Sequence, residues 1–434
     1  MLSENTFINK KILIYGLGLS GKSCLKYLIK KNYITVFDDN KSLKNVKNKS
    51  FFLNKKKIIK KKFDYIILSP GIDIKNCRLR KYLNKNKKKI ITELDVFYSI
   101  YSKNVKITIT GTNGKSTTCS MLYEIFKLNK IDVRLVGNIG NSPLLEKKIN
   151  DKTIFIIEAS SYQIFYSKYF KTDYAVILNL SVDHLERHGS MDSYAKAKLK
   201  LIFNQDKNKQ SYVEKNNLII KKNILKKNLK SKINKINYNK DNFFKKKIKN
   251  IYLLDKNNLK NIHFFYLICK KFQFSDSKIF EPLNKFKGLK FRKQIIYNRR
   301  NLKIINDSKS TSFSSTNGLL STYKNIHWIV GGKFKKGDKF ILNKKYYKNI
   351  KAYIIGKNKI FFQNQFKNKI NFKYFGDLKK TILAIKNEMN IDKNNKIILF
   401  SPAAASFDQF ANFEARGDYF NKLVKNIIFK KYDK

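Results

Sequence analysis

The chain has 434 residues, of which 93 are lysine or arginine and 31 are aspartate or glutamate, giving a formal net charge of +62. That length allows two to four domains, each with its own core. The sequence contains no apolar run of about eighteen residues and no signal peptide, so we expect a soluble, cytoplasmic protein without membrane insertion.

The excess of positive charge raises the question of nucleic-acid binding. Arginine, the side chain that base readout and bidentate phosphate binding favour, occurs at only eight positions. Lysine, asparagine, isoleucine, phenylalanine and tyrosine are enriched together along the whole chain, which indicates a bias toward A/T-rich codons. We therefore expect a solvated lysine-rich surface and no nucleic-acid partner. The four cysteines form no Cys-x-x-Cys pair, which argues against a zinc site.

The N-terminal region reads as a small nucleotide-binding α/β domain. A strand at Lys11–Tyr15 precedes a glycine turn at residues 16–21 that opens a helix, and a second strand ends at Asp38. This spacing is the dinucleotide fingerprint, but the same turn serves any phosphate-bearing nucleotide, so it favours NAD only weakly. Asp38 is equally well explained as an ordinary strand-end residue. A third strand at Tyr65–Leu68 stops at Ser69-Pro70-Gly71.

The strongest motif is VKITITGTNGKSTT at residues 105–118, which predicts a strand, a glycine turn and a helix start. Backbone N–H groups at such a turn suit phosphate oxygens, Lys115 would add a positive charge and Ser116 a hydroxyl for Mg²⁺. The full P-loop pattern is not matched, because its first glycine would fall on residue 109, which is isoleucine. The motif predicts a nucleoside triphosphate site.

Two further apolar runs end in polar residues. Residues 154–157 lead to Glu158, and residues 174–180 lead to Ser181-Val182-Asp183-His184. In open α/β sheets ligands bind at the carboxyl edge of the strands, so we expect Lys115, Glu158 and His184 near bound phosphates. A carboxylate and an imidazole are suitable Mg²⁺ ligands there, although a hydrogen-bonded loop histidine explains His184 equally well.

The second half of the chain alternates between uninformative and strongly patterned segments. Residues 205–260 are rich in lysine and asparagine and predict only short strands and turns. His188 and His263 are expected to be structural, the latter within a core. From Arg292 onward strands alternate with helices and end in polar residues, which predicts a third doubly wound α/β domain for a small anionic substrate, closed by a helix at about residues 413–424.

Taken together, these motifs resemble the Mur ligase family over nearly the whole chain. They are GLGLSG, SPG, GTNGKST, GNIG, EASSYQ, DHLERH, YAKAK, NDSKST, GGKFKKGD and SPAAASFDQFANFEARGDYF. The phosphate loop is also shared by folylpolyglutamate synthases, whereas the C-terminal segment is similar to that of the D-glutamate-adding branch. The Asp-Asn-Pro-Arg signature of the branch that adds diaminopimelate or lysine is absent.

The resemblance implies an α/β protein of three domains. These are an N-terminal Rossmann-like domain for a UDP-linked substrate at residues 1–98, a central ATPase domain with a mostly parallel sheet and a phosphate-binding loop at 99–289, and a C-terminal Rossmann-like, amino-acid-binding domain at 290–434. The implied activity is ATP-dependent addition of D-glutamate to UDP-N-acetylmuramoyl-L-alanine through an acyl phosphate. This step belongs to peptidoglycan precursor synthesis and so to cell wall biogenesis, cell shape and cell division.

ATP and Mg²⁺ are the implied cofactors, and a cytoplasmic monomer is expected. The alternatives are another Mur ligase, an amide ligase similar to folylpolyglutamate synthase, or a basic nucleotide-binding module without catalysis. The presence of Glu158, His184 and Lys198 argues against the last of these. A dehydrogenase would leave every motif after the first unexplained.

The resemblance also implies a set of site residues. The implied catalytic residues are Lys115, Glu158, His184 and Lys198, with Lys198 as a carbamate, and the implied Mg²⁺ ligands are Ser116, Glu158, His184 and Lys198. The implied ATP contacts are Gly111, Thr112, Asn113, Gly114, Lys115, Ser116, Thr117, Arg292 and Asp307. The implied contacts to the UDP-linked substrate are Leu17, Ser20, Asp38, Gly71, Asn138, Ser160 and Gln163. The implied D-glutamate contacts are Lys309, Thr311, Lys336, Ser406, Phe407 and Phe413, with Lys335 as the alternative to Lys336.

The sequence departs from the family pattern at two places. The family's Gly-x-His-Asn-x-x-Asn aligns through His263, so that Phe264 and Leu267 replace the asparagines, including the one expected near adenine. This alignment predicts relaxed base selectivity. The alternative is that the segment has shifted, with Asn261 or backbone carbonyls reading the base. Phe291 stands where a histidine usually precedes the equivalent of Arg292.

Overall fold

The protein is described by a computed structural model over residues 3–40, 51–225, 227–254, 256–299, 301–335, 337–389 and 396–429. The chain divides into two compact units. The first unit comprises Met1–Ser181, Arg187–Phe244 and Lys260–Leu283, and the second comprises Val182–Glu186, Lys245–Leu259 and Asn284–Lys434. Within the described residues the first unit contains two sheets and the second contains one.

The first sheet is parallel and four-stranded. Its strands are β1 (Lys11–Tyr15), β2 (Tyr33–Phe37), β3 (Tyr65–Leu68) and β4 (Ile90–Ile91), in the spatial order β2-β1-β3-β4. The accompanying helices are α1 (Leu19–Leu28), α2 (Lys55–Ile59) and α3 (Arg80–Lys85). Both faces of β1 are buried, as the unbroken apolar sequence ILIY predicts for a parallel strand covered on both sides.

The second sheet is parallel and six-stranded. Its strands are β5 (Lys106–Thr110), β6 (Val133–Gly137), β7 (Ile154–Glu158), β8 (Tyr174–Ile177), β9 (Gln210–Glu214) and β10 (Lys232–Ile236), in the spatial order β10-β9-β8-β5-β7-β6. All positions of β5 are buried. Because β8, β5 and β7 are neighbours, the segments that follow them meet at one edge of the sheet.

Nine described helices follow along the chain from residue 93 to residue 285. They are α4 (Glu93–Ile100), α5 (Lys115–Leu128), α6 (Ser161–Tyr166), α7 (Leu185–His188), α8 (Met191–Phe203), α9 (Leu218–Leu225), α10 (Asp241–Lys247), α11 (Lys256–Lys271) and α12 (Asp276–Lys285). The prediction of only short strands and turns for residues 205–260 is therefore wrong at α9 and α10. Each of these helices buries few apolar side chains, Ile220 in α9 and Phe244 in α10, so their helical period is hidden among lysines and asparagines.

The third sheet belongs to the second unit and is doubly wound, as predicted. Its strands are β11 (Gln294–Arg299), β12 (Leu302–Asn306), β13 (Ile326–Gly331), β14 (Ile350–Ile355), β15 (Asn371–Gly376) and β16 (Lys396–Phe400), in the spatial order β11-β12-β16-β13-β14-β15. Only β11 is antiparallel to its neighbour. The helices are α13 (Phe313–Thr322), α14 (Lys359–Phe366), α15 (Leu378–Met389) and α16 (Phe413–Val424).

The architecture confirms an α/β fold with three mostly parallel sheets. The boundaries proposed at residues 98 and 289 stay a prediction. No described helix is both long and apolar enough to cross a bilayer.

A buried carboxylate fixes the loop before β8 to α4. Asp95 is fully buried, and its Oδ1 accepts the backbone N–H groups of Lys168, Tyr169 and Phe170 at 2.8, 2.6 and 3.0 Å. Its Oδ2 accepts the N–H of Thr92 at 2.8 Å, which closes the N-terminal turn of α4. Burial raises the pKa of Asp95, and the four backbone bonds act in the opposite direction.

We expect Asp95→Asn to lower the free energy of unfolding by about 3 kcal/mol, because an amide nitrogen would replace one acceptor facing buried N–H groups. Urea denaturation monitored by circular dichroism measures this loss. Asp64→Asn is the matched control, since exposed Asp64 accepts a single backbone N–H, from Lys11 at 2.8 Å, and should cost about 1 kcal/mol or less. Equal losses in the two variants would contradict the role given to Asp95.

Candidate functional site

The turn between β5 and α5 has the geometry of a phosphate loop. Gly111 and Gly114 have φ values of +153° and +84°, which side chains rarely adopt, and α5 begins immediately afterwards at Lys115. The first backbone N–H groups of a helix have no intrahelical acceptor, so they are available to an anion at this position. Ser116 and Thr117 lie buried in the first turn of α5.

Asn179 holds this turn from the neighbouring strand segment. Its Oδ1 accepts the N–H groups of Thr112 and Asn113 at 3.1 and 2.9 Å, and its Nδ2 donates to the carbonyl of Asn113 at 3.0 Å. The Oγ1 of Thr112 also accepts the N–H of Ser181 at 3.0 Å. The sequence analysis missed Asn179, because an asparagine at the end of an apolar run carries no motif signal.

Glu158, at the end of β7, lies between two other predicted site residues. Its Oε2 accepts the Ser116 hydroxyl at 2.5 Å, and its Oε1 accepts the side-chain amide of Asn138 at 3.0 Å. Glu158 is 1% exposed, so the carboxylate is held by hydrogen bonds within a desolvated pocket. The expected proximity of the phosphate loop and Glu158 is thus found in the first unit, and Asn138 lies beside them.

The donor set at Ser116 and Glu158 fits a nucleotide-bound Mg²⁺. Mg²⁺ prefers oxygen ligands and commonly takes one or two carboxylates together with waters and phosphate oxygens. A hydroxyl and a carboxylate oxygen meet that requirement at the end of a phosphate loop. Within the described part of the chain no group of three or more His, Cys, Asp or Glu side chains is arranged to hold a metal, so a cage made of protein ligands alone is absent there.

Two lysines donate to the carbonyls of the phosphate loop. Lys115 Nζ lies 2.9 Å from the carbonyl oxygens of both Gly111 and Thr112. Lys198, 2% exposed on α8, donates to Gly111 O at 2.9 Å and lies 4.8 Å from the centroid of the Tyr194 ring. Both ammonium groups are therefore within reach of an anion bound at the loop.

His184 belongs to the second compact unit, whereas Lys115, Glu158 and Lys198 belong to the first. Its φ is +54°, its Nε2 lies 3.3 Å from Asp183 Oδ2 and its Nδ1 lies 3.6 Å from Glu186 Oε1. Lys335 also pairs with Asp183, at 2.5 Å. The expected proximity of His184 to the phosphate loop stays a prediction.

The N-terminal glycine turn is held by the side chains of Asp38, a predicted substrate contact, and Ser69. Leu17 N–H donates to Asp38 Oδ2 at 2.6 Å, and Ser69 Oγ donates to the Gly16 carbonyl at 2.6 Å. A Cβ on Gly21 would lie 1.8 Å from that carbonyl, so the turn and α1 pack backbone to backbone. The hydrogen bond from Leu17 N–H therefore gives Asp38 a structural role in the turn. Contacts of Leu17, Ser20 and Asp38 with a substrate stay a prediction.

Arg187, which the sequence analysis did not single out, holds the loop that contains Gly71. Its guanidinium donates to the carbonyls of Pro70, Gly71 and Ile72, two of these bonds measuring 3.3 and 3.5 Å. It also lies 5.2 Å from the centroid of the Tyr162 ring on α6. Five N–H donors in one plane make arginine suited to several carbonyls at once.

The start of α6 is a capping box made by two predicted substrate contacts. Gln163 Oε1 accepts the N–H of Ser160 at 2.8 Å, and Ser160 Oγ accepts the N–H of Gln163 at 3.3 Å. This reciprocal pair fixes the orientation of both side chains, which follow Glu158 by two and five residues in the sequence. A contact of either one with a substrate stays a prediction.

His188 and His263 are structural, as predicted. His188 Nε2 lies 3.0 Å from Ser161 Oγ, and His263 Nε2 lies 2.8 Å from Asp241 Oδ1. Both rings are buried, and burial lowers the pKa of His263.

The segment expected near the nucleotide base brings Asn261 against the phosphate loop. A Cβ on Gly114 would lie 2.1 Å from Asn261 Nδ2, so the amide occupies the space that the glycine leaves open. Phe264 is fully buried. The contact of Asn261 supports the alternative of a shifted segment, and the placement of Phe264 and Leu267 near the base stays a prediction.

In the second unit, Asp307 follows β12 and is 6% exposed. Its Oδ2 accepts the Ser401 hydroxyl at 2.7 Å and its Oδ1 accepts the Lys293 N–H at 3.0 Å. Burial raises the pKa of Asp307 to about 6, against the effect of these hydrogen bonds and of the Lys293 and Arg292 charges.

The described residues predicted to contact D-glutamate lie in the loops after β12 and β16 and at the first residue of α16. Lys309 Nζ lies 3.6 Å from the centroid of the Phe413 ring, a cation–π geometry that brings two of them together. Ser406 is 2% exposed and Phe407 is 70% exposed. Lys336 lies outside the described residues. Contacts of these side chains and of Thr311 with an amino acid stay a prediction.

Arg416 connects the segments that carry these residues. Its guanidinium, 1% exposed, donates to Ser308 Oγ at 3.1 Å, Ser308 O at 2.7 Å and Ala404 O at 3.0 Å. Burial lowers the pKa of Arg416 to about 10. Phe291 packs edge-on against Phe413 at 6.5 Å and leaves no room for a side chain on Gly417, where a Cβ would lie 2.3 Å from its ring.

We expect Asn261→Ala to weaken ATP binding about tenfold and to reduce the preference for ATP over GTP, because the amide that faces Gly114 would be lost. Isothermal titration calorimetry with both nucleotides measures this change. Phe264→Leu is the control, since a core substitution should lower stability and leave the nucleotide preference intact. A shifted preference in Phe264→Leu with none in Asn261→Ala would restore the alignment through His263.

Comparison with known proteins places these features in one family. A profile described as "Mur ligase middle domain" matches residues 109–277, and one described as "Mur ligase MurD-like, N-terminal domain" matches residues 10–91. The chain is similar in fold to the MurF ligase of Thermotoga maritima in complex with ADP, with a TM-score of 0.56, 14% identity and coverage of 98% and 97% of the two chains. It is likewise similar to MurC of the same organism, with a TM-score of 0.54, 16% identity and coverage of 96% and 100%.

Curated relatives match along their full length. UDP-N-acetylmuramoylalanine–D-glutamate ligase of Rickettsia prowazekii (strain Madrid E) is 32% identical, with 97% of this chain and 99% of the relative covered. The ligases of the same name from Buchnera aphidicola subsp. Schizaphis graminum (strain Sg) and Francisella philomiragia are 34% and 32% identical, with 98% and 97% of this chain and 100% and 99% of the relatives covered. The chain therefore belongs to the UDP-N-acetylmuramoylalanine–D-glutamate ligases of the Mur ligase family.

Proposed function

We propose that the protein is an ATP-dependent ligase that joins D-glutamate to UDP-N-acetylmuramoyl-L-alanine, with ADP and phosphate as the other products. The observation that carries this proposal is the junction of a glycine phosphate loop with the Ser116–Glu158–Asn138 cluster. Full-length likeness to ligases of this name supports the choice of substrates. The enzyme would act in the cytoplasm, where the nucleotide-linked precursor is made.

ATP would bind with its phosphates against the N-terminus of α5. Backbone N–H groups at residues 114–117 would donate to phosphate oxygens, and Lys115 would exchange its bonds to the Gly111 and Thr112 carbonyls for the β- and γ-phosphates. Asn179 would hold the loop in shape during this exchange. Arg292 and Asp307 would contribute contacts to the γ-phosphate and to the nucleoside.

Bound Mg²⁺ would neutralise phosphate charge and polarise the γ-phosphoryl group. Ser116 and Glu158 would hold it through their hydroxyl and carboxylate oxygens, with His184 and a carbamoylated Lys198 as further ligands. Carbamoylation would replace the Lys198 ammonium, which now donates to Gly111 O, by an anionic oxygen donor.

The reaction would form an amide in two displacements. The alanyl carboxylate would attack the γ-phosphorus, giving an acyl phosphate and ADP, and the D-glutamate amine would then attack the acyl carbon, lose a proton and release phosphate. Lys115 would offset charge on the transferring phosphoryl group. Lys309, Thr311, Lys336, Ser406, Phe407 and Phe413 would orient the incoming amino acid.

The UDP-linked substrate would lie along the first unit. Its uridine end would be near Leu17, Ser20 and Asp38, with Gly71 in the loop that Arg187 holds. Asn138, tied to Glu158, would contact the pyrophosphate. Ser160 and Gln163 would complete the path toward the reacting carboxylate. Three domains, at residues 1–98, 99–289 and 290–434, would divide the three substrates among them.

Phosphate release with ATP, UDP-N-acetylmuramoyl-L-alanine and a panel of amino acids tests the function. We expect release that depends on D-glutamate and is lost in Lys115→Ala, because a charge opposite the β- and γ-phosphates is removed, while binding of the UDP-linked substrate persists by calorimetry. Release that requires a different amino acid would favour another Mur ligase. Equal loss of both ligands in Lys115→Ala would contradict separate sites.

We expect Lys198→Ala to lose activity that bicarbonate does not restore and that short carboxylic acids restore in part, since they supply the missing anionic oxygen. Lys196→Ala is the control, because exposed Lys196 pairs with Asp192 at 2.6 Å on the same helix and should retain activity. Full activity in Lys198→Ala would rule out the carbamate.

A further inference from the structure

A buried row of hydroxyl groups lies behind the loop at residues 310–312 in the second unit. We call it the hydroxyl row; it consists of Ser401, Thr316, Ser310 and Ser315. Five hydrogen-bond contacts run along it: Asp307 Oδ2 to Ser401 Oγ at 2.7 Å, Ser401 Oγ to Thr316 Oγ1 at 2.8 Å, Thr316 Oγ1 to Ser310 Oγ at 2.6 Å, Ser310 Oγ to Ser315 Oγ at 2.8 Å, and Ser315 Oγ to the carbonyl of Ser312 at 2.6 Å.

The row is cut off from solvent over most of its length. Ser401 and Thr316 are fully buried, Ser310 and Asp307 are 3% and 6% exposed, and Ser315 at the far end is half-buried. Buried polar groups that lose a hydrogen bond are not compensated by water, so the direction in which each hydroxyl points has energetic consequences.

Counting protons shows that the five contacts cannot all be made when Asp307 is ionised. Each hydroxyl has one proton to donate, so the four residues of the row supply four protons for five contacts. Ser401 donates to the carboxylate, which obliges Thr316 to donate to Ser401 and Ser310 to donate to Thr316. The single hydroxyl proton of Ser315 can then be donated to Ser310 Oγ or to the carbonyl of Ser312, but not to both.

Protonation of Asp307 removes the conflict. The carboxyl proton is a fifth donor, and the direction of every bond can reverse, from Asp307 toward Ser401 and onward to the carbonyl of Ser312. All five contacts are then satisfied. Burial supports this state, because it raises the pKa of Asp307 to about 6.

The far end of the row holds the loop that contains Thr311, a predicted contact of the amino acid. Ser310 precedes Thr311 and is tied to Thr316 in α13, while the carbonyl of Ser312 follows it and is tied to Ser315. The near end is the carboxylate expected at the nucleoside. The charged groups that act on Asp307 are Lys293 and Arg292, which precede β11, and Arg416 on α16.

We propose that Ser401 and Thr316 are positioning residues that connect Asp307 to the loop of Thr311, so that the hydrogen-bonding state of Asp307 determines how firmly the amino-acid loop is held. The proposal rests on the proposed function for the identity of the two ligands. It assigns to two buried hydroxyls, which are bonded to Asp307 and to each other, a role in binding D-glutamate.

Thr316→Val tests the link, because it removes one hydroxyl and keeps the side-chain shape. We expect the KM for D-glutamate to rise about fivefold, the effect of one net hydrogen bond, while the KM for ATP changes less than about twofold, since Ser401 still donates to Asp307. Thr316→Ser restores the hydroxyl and should restore the KM for D-glutamate.

Thr381→Val is the matched control. Thr381 is fully buried in α15 of the same unit, but its hydroxyl donates to the backbone carbonyl of Asp377 at 2.7 Å and has no part in the row. Both variants lose a buried hydroxyl, so a shared fall in melting temperature reports stability alone. Only Thr316→Val should change the KM for D-glutamate.

Hydrogen exchange of the full chain without ligands tests the pH dependence independently of activity. After correction for intrinsic rates, we expect backbone amides at residues 310–316 of the wild type and of Thr381→Val to exchange about threefold more slowly at pH 5 than at pH 7.5. In Thr316→Val the corrected rates at the two pH values should be equal, because the loop no longer senses Asp307.

The outcomes separate the two proposals. If the wild type ligates D-glutamate and Thr316→Val behaves like Thr381→Val in both measurements, the positioning role is overturned and the proposed function stands. If the wild type fails to ligate D-glutamate, the proposed function fails, and the positioning role for that ligand fails with it. If only Thr316→Val changes the KM for D-glutamate and the hydrogen exchange, and Thr316→Ser restores the KM, both the proposed function and the positioning role are supported.

Discussion

The candidate site depends on the left-handed turn between β5 and α5 and on the amide of Asn179 that holds it. Residues 111–114 belong to neither β5 nor α5, so their N–H groups need acceptors outside these two elements. The side-chain oxygen of Asn179 accepts two of them, those of Thr112 and Asn113. With the turn fixed, α5 starts where Ser116 reaches Glu158 on the adjacent strand. The position of the phosphate site is thus set by strand order, because β8, β5 and β7 are neighbours.

Much of the fold could be predicted because buried parallel strands are continuous apolar runs that end in glycine or polar residues. β5 alternates isoleucine with threonine although all of its positions are buried, but β1 and β7 follow that rule. Edge strands do not. β15 has no buried position, and its sequence NFKYFG contains no continuous apolar run. Helices α9 and α10 were missed for the same reason, because each buries few apolar side chains and so shows no clear helical period.

Site residues were predictable where chemistry demands a rare residue type at a fixed place, as with Lys115, Ser116 and Glu158. Asn179 and Arg187 act through backbone carbonyls and N–H groups, which leave no trace in the sequence. The register of α11 could not be decided from the sequence. His263 was used as the anchor of the motif, but in the folded chain its ring is hydrogen-bonded to Asp241, and the asparagine next to Gly114 lies two residues earlier on α11.

The eight arginines of this lysine-rich chain include two, Arg187 and Arg416, whose guanidinium groups each bridge several backbone or hydroxyl oxygens in a confined space. A lysine ammonium can also serve more than one carbonyl, as Lys115 does, but it has no planar fork and is more strongly hydrated, so it would not reproduce this geometry. Substitution of Arg187 or Arg416 by lysine would therefore leave at least one of these oxygens without a well-placed donor, so the few arginines of the chain mark contacts that its many lysines do not replace.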